Sequence, residues 1–380
     1  MLSAGLRVNM GLYLLLVLSL CSCYKAIGEE TTNVKPIQQR DDREFDCVDI
    51  YKQPAFDHPL LKNHKIQMSP SFSGNVLNNY YDTKIGKFSK IGLQDEDCPP
   101  GMVPIMKIKS RHLRNEYSHS RYNSKNFTND NPSQQFATYH TTTNDRIFRG
   151  ARAFISVENP SVELGQYSMA QIWVQKGQYN GLESIQAGWA VDPALYGDSH
   201  TRLTTYWTVD NFGNTGCFNS VCPGFVQVHP RLHPGLAFSN TSVFGGQQFI
   251  TDISIAQDGL SGHWWLKVDH QNIGYWPKHI FTLLTNDARY FEFGGEVYRN
   301  VNKPCPPMGN GRFPSRELKE TSFFTEMQYV TPVYSIRDID PLPMAKYISY
   351  KGYDLKIWKN QGGDYHNFIT YGGPGGKCGK

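Results

Sequence analysis

The chain has 380 residues, 39% apolar and 13% aromatic, with 34 Gly, 22 Pro and 22 Tyr. That is enough apolar side chain for a sizeable core, and a composition that favours strands and turns over long helices. The formal net charge of +4 excludes the strongly basic character of a nucleic-acid binder.

At the N-terminus Arg7 precedes an apolar run over residues 11–20, GLYLLLVLSL, followed by small residues. A run of about 10 residues is too short to span a bilayer and reads as a secretory signal. Residues 1–23 are assigned to it, with cleavage between Cys23 and Gly28. No later run is long enough to cross a membrane, so the mature chain is expected to be soluble, extracellular and monomeric. Eight Cys fall to six once Cys21 and Cys23 leave, and an even number in a secreted chain implies disulfides. Cys217 and Cys222 are close enough to shut a small loop. Cys47 and Cys98, and Cys305 and Cys378, are preferred as pairs because each pair falls within one region, although six Cys allow other connectivities. No His stands at ligand spacing from a Cys pair, so neither a metal nor a cofactor is expected. Asn126 (NFT) and Asn240 (NTS) are glycosylation acceptors where exposed.

Residues 24–43 are polar and aperiodic, a flexible leader. Residues 47–68 carry Ile50, Phe56, Leu60 and Leu61, but Pro54 and Pro59 rule out a long helix; the segment is expected to lie extended on another part of the chain. Residues 95–105 form a turn into a short strand. A basic, polar linker over 107–125 continues through Asn, Asp, Pro and Gln to residue 135. The domain boundary falls here, between a small prodomain (24–134) and the main domain (135–380), and an exposed basic linker invites proteolytic nicking.

From residue 135 strand-like runs recur: 136–141, 150–157, 167–175, 184–191, 203–209, 224–229, 247–255, 262–268, 272–276 and 290–299. Short runs at this spacing predict an all-β fold, an antiparallel β-sandwich. Only residues 279–286, HIFTLLTN, look helical, for about two turns. No GxGxxG follows a strand, and the terminal GGPGGKC lacks P-loop spacing.

Nucleophile-elbow and HExxH patterns are absent, which leaves carboxylate chemistry. In LESIQAGWAVDPALYGD (182–198) strand alternation puts Ile185, Ala187 and Trp189 on one face. Gln186, Gly188 and Ala190 share the other, a polar group on a floor of small residues. In YFEFGGEVYR (290–299) Phe291 and Phe293 share one face, and Glu292 and Glu296 the other, provided Gly294-Gly295 makes no bulge. Trp189, Tyr206, Trp207, Tyr275 and Trp276 are candidate walls for a substrate; of these Trp189 shares a face with Ile185 and reads as core.

Several stretches resemble the neprosin family of plant secreted glutamic peptidases. CVDIYKQPAFDHPLLKNH (47–64) is similar to that family's activation peptide. AQIWV (170–174), AGW (187–189), YWT (206–208), TGCFNSVCPGFVQ (215–227), GYWP (274–277), GGEVY (294–298) and YGGPG (371–375) follow in the family's order. The resemblance implies a signal, a removable prodomain acting as an intramolecular inhibitor, and a β-sandwich whose groove carries two glutamates that activate water and cleave after proline. The second glutamate falls on Glu296. The first falls on position 186, which here is Gln. An amide cannot do acid or base work, but its carbonyl can orient water and its NH2 can serve an oxyanion. The eqolisins resemble this arrangement, with a Gln preceding a Glu on a β-sandwich.

The expectation is therefore an acid-active peptidase for proline-containing peptides, with Gln186 and Glu296 as the catalytic pair. The alternatives are a weakened homologue that holds proline-rich or cell-wall proteins uncut, and a glycan-binding β-sandwich.

Overall fold

The computed structural model describes residues 44–71, 89–90, 98–107, 133–143, 145–178, 181–213, 215–300, 303–359 and 367–378. The segments read above as signal and leader, most of the basic linker and Asn126 lie outside the described residues. Two sheets pack face to face. The smaller runs β17-β4-β14-β6-β7-β8-β9, where β4 is Gln134–Thr141, β6 Gln166–Lys176, β7 Glu183–Val191, β8 Arg202–Thr208, β9 Cys217–Phe218, β14 Tyr290–Arg299 and β17 Met344–Ile348.

The larger runs β10-β13-β12-β11-β5-β15-β19-β18. Its strands are β5 (Gly150–Ser156), β10 (Val226–Gln227), β11 (Phe249–Gln257), β12 (Trp264–Val268), β13 (Gln271–Trp276), β15 (Ser322–Val330), β18 (Asp354–Trp358) and β19 (Phe368–Gly372). Beside them β16 (Ile336–Asp338) pairs with β15, and β2 (Ser89–Lys90) runs parallel to β11. Every pairing along the two sheets' main paths is antiparallel. The chain is thus all-β, an antiparallel sandwich with an N-terminal segment ahead of it.

The core follows from alternation. On the smaller sheet Ile185, Ala187 and Trp189, with Ile172, Val174 and Phe293, face Ile155, Ile253, Trp264 and Phe324 of the larger. Each large side chain removed from water here contributes about 1.5–3 kcal/mol. The Trp189 indole also donates to the carbonyl of Ser156 at 2.8 Å, which satisfies a polar atom inside the apolar layer. The register of β14 runs unbroken from Tyr290 to Arg299 against β6, so Gly294-Gly295 makes no bulge and the two faces stay separate.

The helix expected over 279–286 does not form. Lys278–Ile280 is one 3-10 turn and Phe281 is extended. The buried Glu183 carboxylate accepts from the amides of Thr282 (2.8 Å), Leu283 (2.9 Å) and Leu284 (2.7 Å) and from the Thr282 hydroxyl (2.6 Å). Those amides satisfy a distant side chain rather than a helix. A short helix does form at α1 (Pro193–Tyr196). Asp192 caps it by accepting from Ala194 and Leu195, Pro193 starts it, and Gly197 ends it at φ 82°. Among the described residues five strands after residue 320 complete the sheets. In β15 the pairing with β5 shifts between Thr325 and Gln328, and Glu326 stands at φ 50°, so simple alternation is lost there.

Disulfides join Cys47 to Cys98, Cys217 to Cys222 and Cys305 to Cys378. The first staples the antiparallel pair of β1 (Phe45–Asp49) and β3 (Met102–Met106) in the N-terminal segment. Glu44, beside this pair, forms an ion pair with Arg202 of β8 at 2.7 Å. Further along, the Gln53 side chain donates to the carbonyl of Gln227 (3.0 Å) and accepts from its amide (2.7 Å). It thereby blocks an edge strand of the larger sheet. Ala55, Phe56 and Ile66 cover Trp265, Tyr275, Val226 and Val228 on that sheet's outer face. The adjacent Trp264 and Trp265 point opposite ways, but both are buried because the N-terminal segment covers the second. Among the described residues no helix is long and apolar enough to cross a membrane.

Candidate active site

The face of the smaller sheet opposite the core carries the candidate pair. Register places Gln186 beside Trp173 of β6 and Tyr206 of β8, and Glu296 beside Met169 of β6. Gln186 and Glu296 are therefore on one face, on strands separated by β6. Gln171 of β6 stands between them. Its amide nitrogen lies 3.0 Å from Gln186 Oε1 and 3.2 Å from Glu296 Oε2. Two oxygens within hydrogen-bonding distance of one nitrogen are at most about 6 Å apart, so the two side-chain ends are neighbours.

Gln171 occupies a cleared row. Its cross-strand neighbours are Gly188 on β7 and Gly294 on β14. A Cβ at Gly188 would fall 1.9 Å from the carbonyl of Ala170, and one at Gly294 2.3 Å from that of Ala137. Neither position admits a side chain, so no side chain flanks Gln171 from the neighbouring strands and its amide can reach both partners.

Glu296 is wholly buried and Gln186 is 1% exposed. The other Glu296 oxygen accepts from the Tyr167 hydroxyl at 2.5 Å and from Gln134 Nε2 at 3.1 Å. With Gln171 that makes three donors, a set that suits an ionised, acceptor-only carboxylate. Gln186 Nε2 donates to Ser184 Oγ at 3.2 Å. Burial raises the Tyr206 phenol above its ordinary value, and the charges of Asp210 and Glu296 add to the shift, so its proton stays on. Glu292, two positions along the same face, is pushed up to about 7 by burial, with the negative charge of Glu296 adding to it. A buried base, an amide that offers both a carbonyl and an N–H, and a proton-bearing phenol are the parts needed to activate water and hold a developing oxyanion.

Of the five aromatic wall candidates, only Tyr206 is on this face. Trp189, Trp207 and Trp276 belong to the core between the sheets. Trp207 follows Tyr206 directly, so alternation turns it inward. Tyr275 lies on the outer face of the larger sheet under the N-terminal segment, where its hydroxyl accepts from the amide of Gln67 at 2.9 Å. Tyr167 and Gln134 lie outside the motifs, and Gln171 lies within AQIWV without a role attached to it. The available signal was parity: Tyr167 and Gln171 share a strand face in YSMAQIWVQ, four residues apart. Beside the pair, Tyr167, Met169, Ala190, Tyr206, Phe212 and Phe218 form a second apolar cluster, against which Met106 of the N-terminal segment packs. Asn240 is exposed. Among the described residues no group of three or more His, Cys, Asp or Glu is placed to hold a metal ion.

Two family models match the chain, Neprosin over residues 164–374 and Neprosin activation peptide over residues 36–149. Among solved structures the chain is similar to scytalido-glutamic peptidase with a peptide-based transition state analog, at 9% identity over 63% of this chain and 98% of that one, TM-score 0.32. It is similar to SCP-B, of the eqolisin family, in complex with the tripeptide Ala-Ile-His, at 8% identity over 63% and 97%, TM-score 0.32. It is also similar to CG-16, a homodimeric agglutinin from chicken liver, at 11% identity over 43% and 96%, TM-score 0.25. Likenesses this distant carry no weight for what this chain does.

Proposed function

The chain belongs to the neprosin family and is built as a peptidase zymogen, with an activation peptide ahead of its peptidase region; from that premise we propose that, once freed of this segment, it hydrolyses peptide bonds at proline in an acidic extracellular setting. The observation that carries the reading is the shared contact of Gln186 and Glu296 with one nitrogen of Gln171. A water between the two oxygens gives one proton to Glu296 as its oxygen attacks the scissile carbonyl. The carbonyl oxygen becomes an oxyanion, held by Gln186 Nε2–H. Glu296 passes the proton to the departing amine and returns to carboxylate, leaving a free carboxyl and a free amine.

The test is hydrolysis of a proline-containing peptide by the purified chain before and after acid treatment, with self-cleavage followed in parallel. Appearance of peptidase activity only after acid treatment supports the reading. Retention of the peptide without cleavage would show instead a binding protein on the same scaffold.

Acid has a target in the docked activation segment. His64 of that segment contacts the Tyr275 hydroxyl at 2.8 Å and stands 5.2 Å, ring to ring, from His263, which stacks on Tyr275 and is 6.1 Å from His279. Burial lowers His64, with His279 adding to it. Burial also pushes His263 down to about 4, helped by His64, His279 and Lys278 and opposed by Asp258. The docked state therefore prefers both rings neutral. Docking is undiminished above the ordinary histidine value of about 6.5 and weakens as pH falls from there towards about 4. The protection factors of residues 44–71 against hydrogen exchange, taken relative to the intrinsic rate at each pH, are expected to fall between pH 7.5 and 4.5, and His64→Gln to blunt the change. Equal protection at both pH values would remove this trigger.

A further inference from the structure

The proposed reaction leaves a question of orientation. A glutamine's two ends differ only in chemistry, and Gln186 must present its oxygen to the water and its nitrogen to the peptide. The chain of contacts decides this. An ionised Glu296 can only accept, so the Gln171 atom facing it must be the NH2. That same nitrogen faces Gln186, so the Gln186 atom nearest to it must be the carbonyl oxygen. Gln186 Nε2 is thereby turned away from Glu296, with one hydrogen on Ser184 Oγ and the second left for a substrate oxygen. Ser184 Oγ also accepts from Gln175 Nε2 at 3.1 Å, which holds the far end of the relay in place. Gln171 is 1% exposed and stands between two glycines that cannot be substituted without collision, so its side chain has room to lie along this line.

We propose that Gln171 is a positioning residue for the peptidase reaction: it transmits the charge of Glu296 to the amide of Gln186, gathers both oxygens around one water, and keeps the Gln186 nitrogen for the oxyanion. This rests on the peptidase reading given above. It also explains how a Gln stands where the family places a Glu without loss of geometry, since the nitrogen of Gln171 can donate to an amide oxygen as well as to a carboxylate, though more strongly to the latter.

The test uses the acid-treated full chain and the variants Gln171→Leu and Gln171→Glu, with folding checked by near-UV circular dichroism. Gln171→Leu is expected to lower kcat by about 10²-fold near neutrality, and by more on the acid side as Glu296 becomes easier to protonate, with KM little changed, as for loss of an orienting donor. Gln171→Glu has the native shape but donates only when protonated. It is expected to match the Leu variant near neutrality and to regain activity as pH falls. Wild-type kcat and an unshifted pH profile in both folded variants would overturn the inference. If the wild type cuts no peptide, the peptidase reading fails, and the inference is decided by a second readout. The carboxylate infrared band of Glu296, isolated by subtracting the Glu296→Gln spectrum, should titrate at higher pH in Gln171→Leu because a donor to the anion is gone. An unmoved titration overturns the positioning role independently of activity.

Discussion

Glu296→Gln is expected to remove peptide hydrolysis, by about 10³-fold or more, while leaving the fold intact. Glu296 is the carboxyl in contact with Gln171, and through it with Gln186, and an amide at that position neither takes a proton from water nor returns one to the leaving amine. The structural cost should be small. An amide oxygen still accepts from Tyr167 or Gln134, and the misfit with Gln171 costs about 1–3 kcal/mol at most. Measured kcat/KM on a proline-containing peptide, beside a thermal unfolding curve, separates the two effects. Undiminished hydrolysis would remove Glu296 from the chemistry.

Gln186→Glu is expected to act in the opposite direction and raise kcat by about 10²-fold, because the site regains a second group able to carry a proton. Two carboxyls around one water cannot both ionise readily, so one should hold a proton into the working range and the pair should titrate in two coupled steps. The gain should therefore be concentrated on the acid side of the pH–rate profile. Ser184 must rotate its hydroxyl from accepting to donating, which a hydroxyl does at little cost. A variant no faster than wild type at any pH would mean that the amide already does all that position 186 requires.

The faces of β7 and β14 were legible in the sequence because strand alternation is rigid. With Trp189 in the core, Gln186 must point away from it, and Phe291 and Phe293 fix Glu296 in the same way. The same rule, left unapplied, misplaced Trp207 and Trp276, each of which follows a tyrosine and so faces the opposite way. Tyr275 does face outward, as alternation allows, but the surface it faces belongs to the other sheet and is covered by Ala55, Phe56 and Ile66. No local pattern discloses such a cover. The missing helix over 279–286 has a similar origin, since its amides are claimed by Glu183, about a hundred positions earlier in the chain. By contrast α1 was legible and overlooked, for DPALYG carries an N-cap, a first-turn proline and a terminating glycine in order. Gln171 lies within AQIWV, one of the stretches that resemble the family, but a sequence match assigns it no role. One polar side chain among several in a strand acquires meaning only when the strands on either side supply an amide oxygen and a carboxylate at its tip.

The most direct test is an experimental structure of the acid-treated chain at a resolution that shows ordered solvent. One water is expected within about 2.6–3.2 Å of both Gln186 Oε1 and a Glu296 carboxylate oxygen. A site in which no single water touches both side chains would contradict the shared-water mechanism at its root.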